Sequence, residues 1–471
     1  MTARFLIILA LCAAVPGWAQ STGTGNSGNS GNSGNSGNAG SSDATTTSEQ
    51  PDNPVANDGM LTPPPVSGQA YPVVTGDEAR VNYLSLGATG EVAYDDNLLA
   101  GYSNTPTSDE IYSIWPTIVL DKSTVRFREE LNYSPGFTFY HPSSDFNETD
   151  QNGSMNLQYH MGATSTFTLQ DSFLRSSSLF NQPFASSQGD IGGGTPLQAS
   201  GVIAPFADRL SNVANAGLNY QAGENQMVGA SGQYGLLDYP NSSQVPGLYN
   251  STLWGFSVFA SERIAARQYF GGEIQHSRIV SYLKGTDSEL TADNLFPFYT
   301  IYLRKSETST FSVSITGGPE HYVATQYPEA NVQAWSPAGT LGIGWQGPVS
   351  TLALSYSHNI TGGGGLPGAY VEDRASAAFR RELTRTWEIN LTGFYALNKN
   401  KTPLFPLSES GGHTITASAS VQHELSRSLK FQIGYDRMEE SYADIGALAE
   451  LPGSNREYGS ITWQYTRSLG R

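Results

Sequence analysis

Few residues of this chain are of a type and spacing that could do covalent chemistry. Its 471 residues include seven histidines and one cysteine. Ser357 next to His358 is the nearest thing to an activated nucleophile, and such a pair could hydrolyse an acyl ester. Adjacent residues on a strand point to opposite faces, so the two cannot pair directly if that stretch is extended. His141 and Ser143 flank Pro142, and neither Gly-Xaa-Ser-Xaa-Gly nor Asp-Xaa-His occurs. No Cys or His cluster has metal-ligand spacing, and no glycine-rich loop is built to cradle phosphate. Asp95, Asp96, Asp109 and Glu110 offer oxygen ligands of the kind calcium takes, without a fixed spacing. The residues therefore predict no enzyme and no cofactor, with a barrel hydrolase using His358 as the third reading of function.

Charged side chains could instead select solutes. Val125, Phe127, Leu131 and Tyr133 share one face of an extended segment, leaving Arg126, Arg128, Glu130 and Asn132 on the other. Glu129 breaks the apolar set. Arg267, Glu273 and Gln275 align in a later segment, and Arg304 falls in the next. These charges could line a watery passage or pair between neighbouring strands. The 176–208 stretch is too apolar for a freely solvated loop, with Phe180, Phe184 and Phe206 beside Asp190 and Asp208. It is expected to fold inward as a constriction, or else to cap a mouth or meet a partner.

The elements that would position these residues are strands. Leu429, Phe431, Ile433 and Tyr435 alternate with Lys430, Gln432 and Gly434, and Trp387, Ile389, Leu391, Gly393 and Tyr395 with Glu388, Asn390 and Thr392. This is a period of two, not 3.6. It recurs over 83–94, 110–120, 124–134, 151–160, 166–175, 209–220, 226–236, 251–260, 266–278, 295–304, 309–322, 336–346, 350–360, 369–381, 386–397, 412–423, 428–438 and 457–468. The polar face is mostly Ser, Thr, Asn, Gln and Gly, and aromatics end the apolar face. Trp387 and Tyr395 would stand about 20 Å apart along a membrane normal on a tilted strand. Connections after even-numbered strands are short and those after odd-numbered ones mostly long, as in bacterial outer-membrane barrels. The pattern predicts an all-β, transmembrane, antiparallel up-and-down barrel of about eighteen strands.

Composition agrees. Charged residues are 14% of the chain, against about 25% in ordinary soluble domains, and mean hydropathy is −0.33. No apolar run beyond the first twenty residues approaches the roughly 18 needed for a membrane helix. The net charge of −17 leaves no basic footprint for nucleic acid. Residues 1–19 read as a secretory signal, with Arg4, an apolar run from Phe5 to Val15, and small residues before Gln20. The lone Cys12 lies inside it. Residues 20–80, with Gly-Asn-Ser triplets and Pro63-Pro64-Pro65, cannot bury enough apolar surface to order themselves and read as disordered. The barrel would then occupy 81–471. Most of the acidic excess falls in the long connections and the N-terminal segment, which would enrich cations at an external mouth or simply keep it solvated.

The stretch Gly87-Ala88-Thr89-Gly90-Glu91-Val92-Ala93-Tyr94-Asp95-Asp96-Asn97-Leu98, followed by Pro116, Ile118 and Leu120 and then by Tyr133-Ser134-Pro135-Gly136-Phe137-Thr138-Phe139-Tyr140, resembles an outer-membrane β-barrel porin family that accompanies exopolysaccharide gene clusters in Gram-negative bacteria. The resemblance covers about residues 83–175. It implies an outer-membrane location and a role in polysaccharide export, and it brings no catalytic residue. The chain departs from the usual barrel ending. Ile461, Trp463 and Tyr465 share a face, but the chain runs on through Leu469 to Arg471 rather than stopping at an aromatic.

The expected function is a diffusion or export-associated pore, with outer-membrane lipid, the barrel assembly machinery and polysaccharide or small solutes as partners. A non-conducting surface scaffold or adhesin with acidic external loops is the alternative. The sequence does not settle the oligomeric state.

Overall fold

The computed structural model describes residues 82–100, 105–177, 208–241, 248–283, 286–306, 309–326, 330–362, 368–401, 411–442 and 453–469. The expected signal, the Gly/Asn/Ser-rich segment and most of the 176–208 loop lie outside them. The strands are β1 (Tyr83–Asp95), β2 (Asp109–Ser123), β3 (Phe127–His141), β4 (Glu148–His160), β5 (Ser165–Ser176), β6 (Arg209–Gln221), β7 (Gln226–Asp238), β8 (Asn250–Ala265), β9 (Gln268–Leu283), β10 (Thr286–Ser306), β11 (Ser309–Gln326), β12 (Ala330–Gln346), β13 (Ser350–Thr361), β14 (Tyr370–Glu382), β15 (Trp387–Asn400), β16 (Gly411–Ser426), β17 (Leu429–Tyr442) and β18 (Gly453–Ser468). Each pairs antiparallel with the next, and β1 pairs with β18 from Tyr83↔Ser468 to Asp95↔Arg456. The sheet is closed, so no strand edge faces lipid with unpaired backbone groups.

Alternation sets the two faces. On β17, Ile433 and Tyr435 are exposed on the outer wall, while Gln432, Gly434 and Asp436 face inward. Outward residues are large, apolar and open: Ile274 is 65% exposed, Trp254 59% and Leu295 54%. A belt of such side chains is stable only against hydrocarbon, and with closure it makes this an outer-membrane β-barrel. Aromatics mark the belt's ends; at the short-turn side Trp387 stacks on His423 with ring centroids 4.3 Å apart. Glu129 stands on the outer face opposite Lys122, beside the β2–β3 turn where the belt ends. Among the described residues, outward acids include Glu457, in register between Tyr94 and Tyr435, and Asp171 within the belt, which accepts a hydrogen bond from the Asn212 carboxamide at 2.8 Å.

The β1–β18 seam has its own fastening. Asp95 accepts from the Ser454 hydroxyl (2.6 Å) and from the backbone N–H of Asn97 (2.9 Å). Asp96 accepts from the backbone N–H and the side chain of Asn455, and the Asn97 side chain donates to the Gly453 carbonyl (2.8 Å). The Asp95-Asp96-Asn97 run within the resembling stretch thus stitches the first strand to the last. Deeper in, Arg456 of β18 is 4% exposed, pairs with Glu91, and stands opposite both Asp95 and Asp436 in the strand register.

Several inward rings lie flat over glycines of the next strand. A methyl group at Gly136, Gly229, Gly271 or Gly434 would fall within 2.4 Å of the rings of Trp115, Phe259, Phe298 and Tyr458 respectively. Absent side chains at these four positions let bulky rings lie along the wall instead of across the lumen.

Within the stretches 279–294 and 323–335, expected as loops, the described residues 279–283, 286–294, 323–326 and 330–335 are strand instead. β10 runs for 21 residues and β11 for 18. The period of two continues there, but its polarity inverts. In the belt the outer face is apolar. Above it, on β10, Asp287, Glu289 and Asp293 face out while Leu290 and Ala292 are buried inside.

Candidate pore and external mouth

On β4 and β5 the inner wall at mid-height is hydroxyl and carboxamide. Asn152, Ser154, Asn156 and Gln158 line β4, and Thr168, Gln170 and Ser172 line β5. Hydroxyl pairs bridge neighbouring strands, including Thr89–Thr462 at 2.9 Å, Ser231–Ser257 at 2.8 Å and Ser355–Ser376 at 2.6 Å. Alternation places these groups inside, because they occupy the positions between outward residues such as Met155, Leu157, Tyr159, Phe167 and Leu169. Charged inner residues nearer the short-turn end are paired between strands: Arg380–Glu388 at 2.6 Å and Lys430–Glu424 at 3.2 Å.

The sequence-derived lumen residues are dispersed around this wall. Arg128, Glu130 and Asn132 lie on the inner face of β3, opposite Gln158, Asn156 and Ser154 of β4. Arg126 does not share that wall. It is exposed in the β2–β3 turn, which Thr124 and Phe127 close with a 2.7 Å backbone hydrogen bond, ending the ladder one residue later than Arg126. Arg267 is likewise exposed in the β8–β9 turn, below the last pair, Ala265↔Gln268. Glu273 is 1% exposed and sits in register between Phe259 and Phe296. The Gln275 and Asn294 carboxamides are 3.1 Å apart. Arg304 pairs with Phe311, just past a register shift after Tyr302. Of the expected constriction, Phe180, Phe184, Asp190 and Phe206 lie outside the described residues. Asp208 immediately precedes β6, 3.8 Å from outward Arg175.

The external mouth holds what the sequence reading missed. Leu237 and Leu253 of β7 and β8, Ile279, Leu290 and Tyr322 of β9 to β11, Ile360 and Tyr370 of β13 and β14, and Tyr442 of β17 form one buried apolar cluster. A methyl group at Gly362, just past β13, would lie 3.5 Å from the Ile279 Cβ, so β9 and the end of β13 meet although three strands separate them in the wall. Beside this cluster the Asn398 carboxamide donates to the Tyr442 hydroxyl (2.9 Å), and Arg374 lies over the Phe394 ring at 5.2 Å. A signal was present in β10, where acids and aliphatics swap faces between Asp293 and Leu295, but that stretch is polar enough to read as a loop.

On the outer rim, His358 Nδ1 is 2.7 Å from Asp373, which also accepts from the Tyr356 hydroxyl (2.8 Å). His276 and Asp293 make a similar outward pair at 2.7 Å. Ser357 faces inward, opposite Thr340 and Arg374, away from the His358 ring. Among the described residues no group of three or more His, Cys, Asp or Glu is placed to hold a metal ion. Asp95 and Asp96 are engaged in the seam.

No protein-family model matches the chain, and no curated protein does. Solved structures similar to it include Pseudomonas aeruginosa OccK2 (OpdF) in complex with glucuronate, at 8% identity and a TM-score of 0.40, covering 84% of this chain and 100% of that one. Acinetobacter baumannii OccAB3 is 7% identical with a TM-score of 0.39, covering 82% and 99% of the two chains. The ferric-catecholate import receptor Fiu of E. coli K12 is 7% identical with a TM-score of 0.42, covering 83% and 82%. At this level of similarity nothing passes from those proteins to this chain.

Proposed function

We propose that the barrel is a pore through which small hydrophilic solutes cross the outer membrane by diffusion. The observation that carries this reading is the hydroxyl- and carboxamide-lined stretch of the lumen on β4 and β5, with the Arg380–Glu388 and Lys430–Glu424 charges nearer the short-turn end paired between strands. Such a wall replaces water hydrogen bonds for a neutral polar solute and holds no strong ionic trap. The resemblance over 83–175 extends the proposal to polysaccharide export. Arg128, Glu130 and Asn132 would contribute selectivity from β3, and the 176–208 loop would narrow the passage. The outer face of β18, with Ile461, Trp463, Tyr465 and the in-phase Leu469, would present the end signal to the assembly machinery.

Planar-bilayer recording on the purified protein tests the pore. Discrete openings are expected, with swelling of proteoliposomes in small neutral sugars; a silent protein that also excludes sugars would refute it. Deleting 180–206 should raise single-channel conductance, and an unchanged value would reject the constriction. The apolar cluster at the mouth favours a second reading, a non-conducting scaffold that displays acidic loops, for which silence in the same recording is the signature.

A further inference from the structure

Five of the six tryptophans among the described residues, Trp254, Trp335, Trp345, Trp387 and Trp463, are exposed on the outer wall. Trp115 is the one that faces inward. On β2 it alternates with Tyr112, Ile114 and Ile118, which are exposed outside. Its register partner on β1 is Thr89, and its six-membered ring covers Gly136 of β3. A methyl group at Gly136 would lie 2.3, 2.4 and 2.6 Å from three consecutive carbons of that ring. An edge-on ring would hold the two flanking carbons much farther off than the middle one. The ring therefore turns one face to the wall, and its other face is turned to the lumen.

Trp115 also stands at the level where this side of the lumen opens. Above it, towards the external mouth, the inward residues Ile111 and Ser113 of β2 and Thr138 and Tyr140 of β3 are buried. Below it, Thr117 of β2 and Ser134 and Asn132 of β3 are partly open. The other rings that lie over glycines are already committed. Phe259 and Phe298 are buried, and the Tyr458 hydroxyl accepts from the Gln432 carboxamide at 3.0 Å. The Trp115 indole N–H, a donor only, has no partner among the described residues. Around the ring the wall carries hydroxyls and carboxamides. Thr89 and Thr462 are 2.9 Å apart, Thr117 and Ser134 are 3.1 Å apart, and Ser134 stands opposite Asn152 of β4.

We propose that Trp115 is a stacking platform for a sugar ring, framed by Thr89, Thr117, Ser134 and Asn132, and that the solute class of the pore is a neutral glycan of equatorially substituted pyranoses. The inference rests on the pore reading above and names its solute. Such a pyranose carries hydroxyls around its rim and bare C–H groups on its two faces. The faces call for an apolar plane, and the rim calls for donors and acceptors. An open indole face set among hydroxyls and carboxamides supplies both, and the indole N–H adds a further donor.

Cellotetraose, a neutral chain of such pyranoses, and mannitol, which has hydroxyls but no ring, supply the test. In planar bilayers cellotetraose should interrupt the open current of the full chain, and mannitol at equal concentration should not. Trp115→Ala should weaken the interruption about tenfold, and Trp115→Phe, which keeps an aromatic face, by no more than about threefold. Cellotetraose should also change the tryptophan emission of the protein, and that change should vanish in Trp115→Phe, because the other described tryptophans stand on the outer wall. Heat-modifiable migration on a gel checks the folding of each variant; if Trp115→Ala does not fold, the emission of Trp115→Phe decides. An open channel that ignores cellotetraose, that mannitol interrupts equally, or that Trp115→Ala leaves unaltered overturns the platform and leaves the pore standing. So does an emission change that survives in Trp115→Phe. A protein that shows no openings and excludes sugars fails as a pore, and the platform falls with it.

Discussion

Replacing Arg456 should loosen the barrel at its seam. The guanidinium is held between three carboxylates: it pairs with Glu91, and its register partners are Asp95 on β1 and Asp436 on β17. Its side chain is 5% exposed and that of Glu91 18%, so neither is well solvated. Arg456→Ala would leave buried negative charges facing one another without a counter-ion. Breaking a buried pair in this way typically costs about 3–5 kcal/mol. Arg456→Met combined with Glu91→Gln keeps the volume and removes a charge from each side, and should recover more than half of the loss. Urea titration of refolded protein in lipid vesicles, followed by the gel shift between folded and unfolded forms, measures both. A loss below about 1 kcal/mol for the single variant, or a double variant no better than it, would refute the reasoning, since the median exposed pair is worth no more than that.

Other consequences follow from the two faces of the wall. Leu391→Arg, on the lipid face midway between Trp387 and Tyr395, should cost about 2–4 kcal/mol in the same titration, whereas Ser154→Arg, on the lumen face, should stay within about 0.5 kcal/mol and shift ion selectivity toward anions. Equal costs would mean the faces are misassigned. Asp171→Leu should stabilise the barrel in vesicles by about 1 kcal/mol by removing a carboxylate from the belt; a comparable loss would show that this patch is not lipid-facing. Gly434→Val should cost about 1–3 kcal/mol, because its side chain would overlap the Tyr458 ring, and Tyr458→Ser should rescue it. Failure of that rescue would remove the ring-over-glycine account.

Much of the wall was legible because one rule governs it. In lipid, the outer face must be apolar at every second residue, so Leu429 to Tyr435 or Trp387 to Tyr395 announce both strand and orientation. The same rule failed above the belt. There the solvent outside is water and the apolar residues turn inward, so Thr286 to Asn294 carries the right period with the wrong sign and resembles a loop. Arg126 and Arg267 were in phase with lumen residues, but phase does not say where a ladder stops. The site was less legible still. That Asp95, Asp96 and Asn97 clasp Ser454 and Asn455, or that Ile279 meets Gly362, depends on which strands are neighbours when the sheet closes. Nothing local in either segment carries that information.

The account stands on one wall that is lipid-facing at one residue and water-facing at the next. Single cysteines at Ile433 and Leu391 (outer) and at Gln432 and Thr392 (inner), in a Cys12→Ser chain reconstituted in liposomes, test this directly with a hydrophilic maleimide. Labelling at Gln432→Cys and Thr392→Cys, with Ile433→Cys and Leu391→Cys protected until detergent is added, is the predicted result. Equal labelling of neighbours, or a reversed pattern, would contradict it.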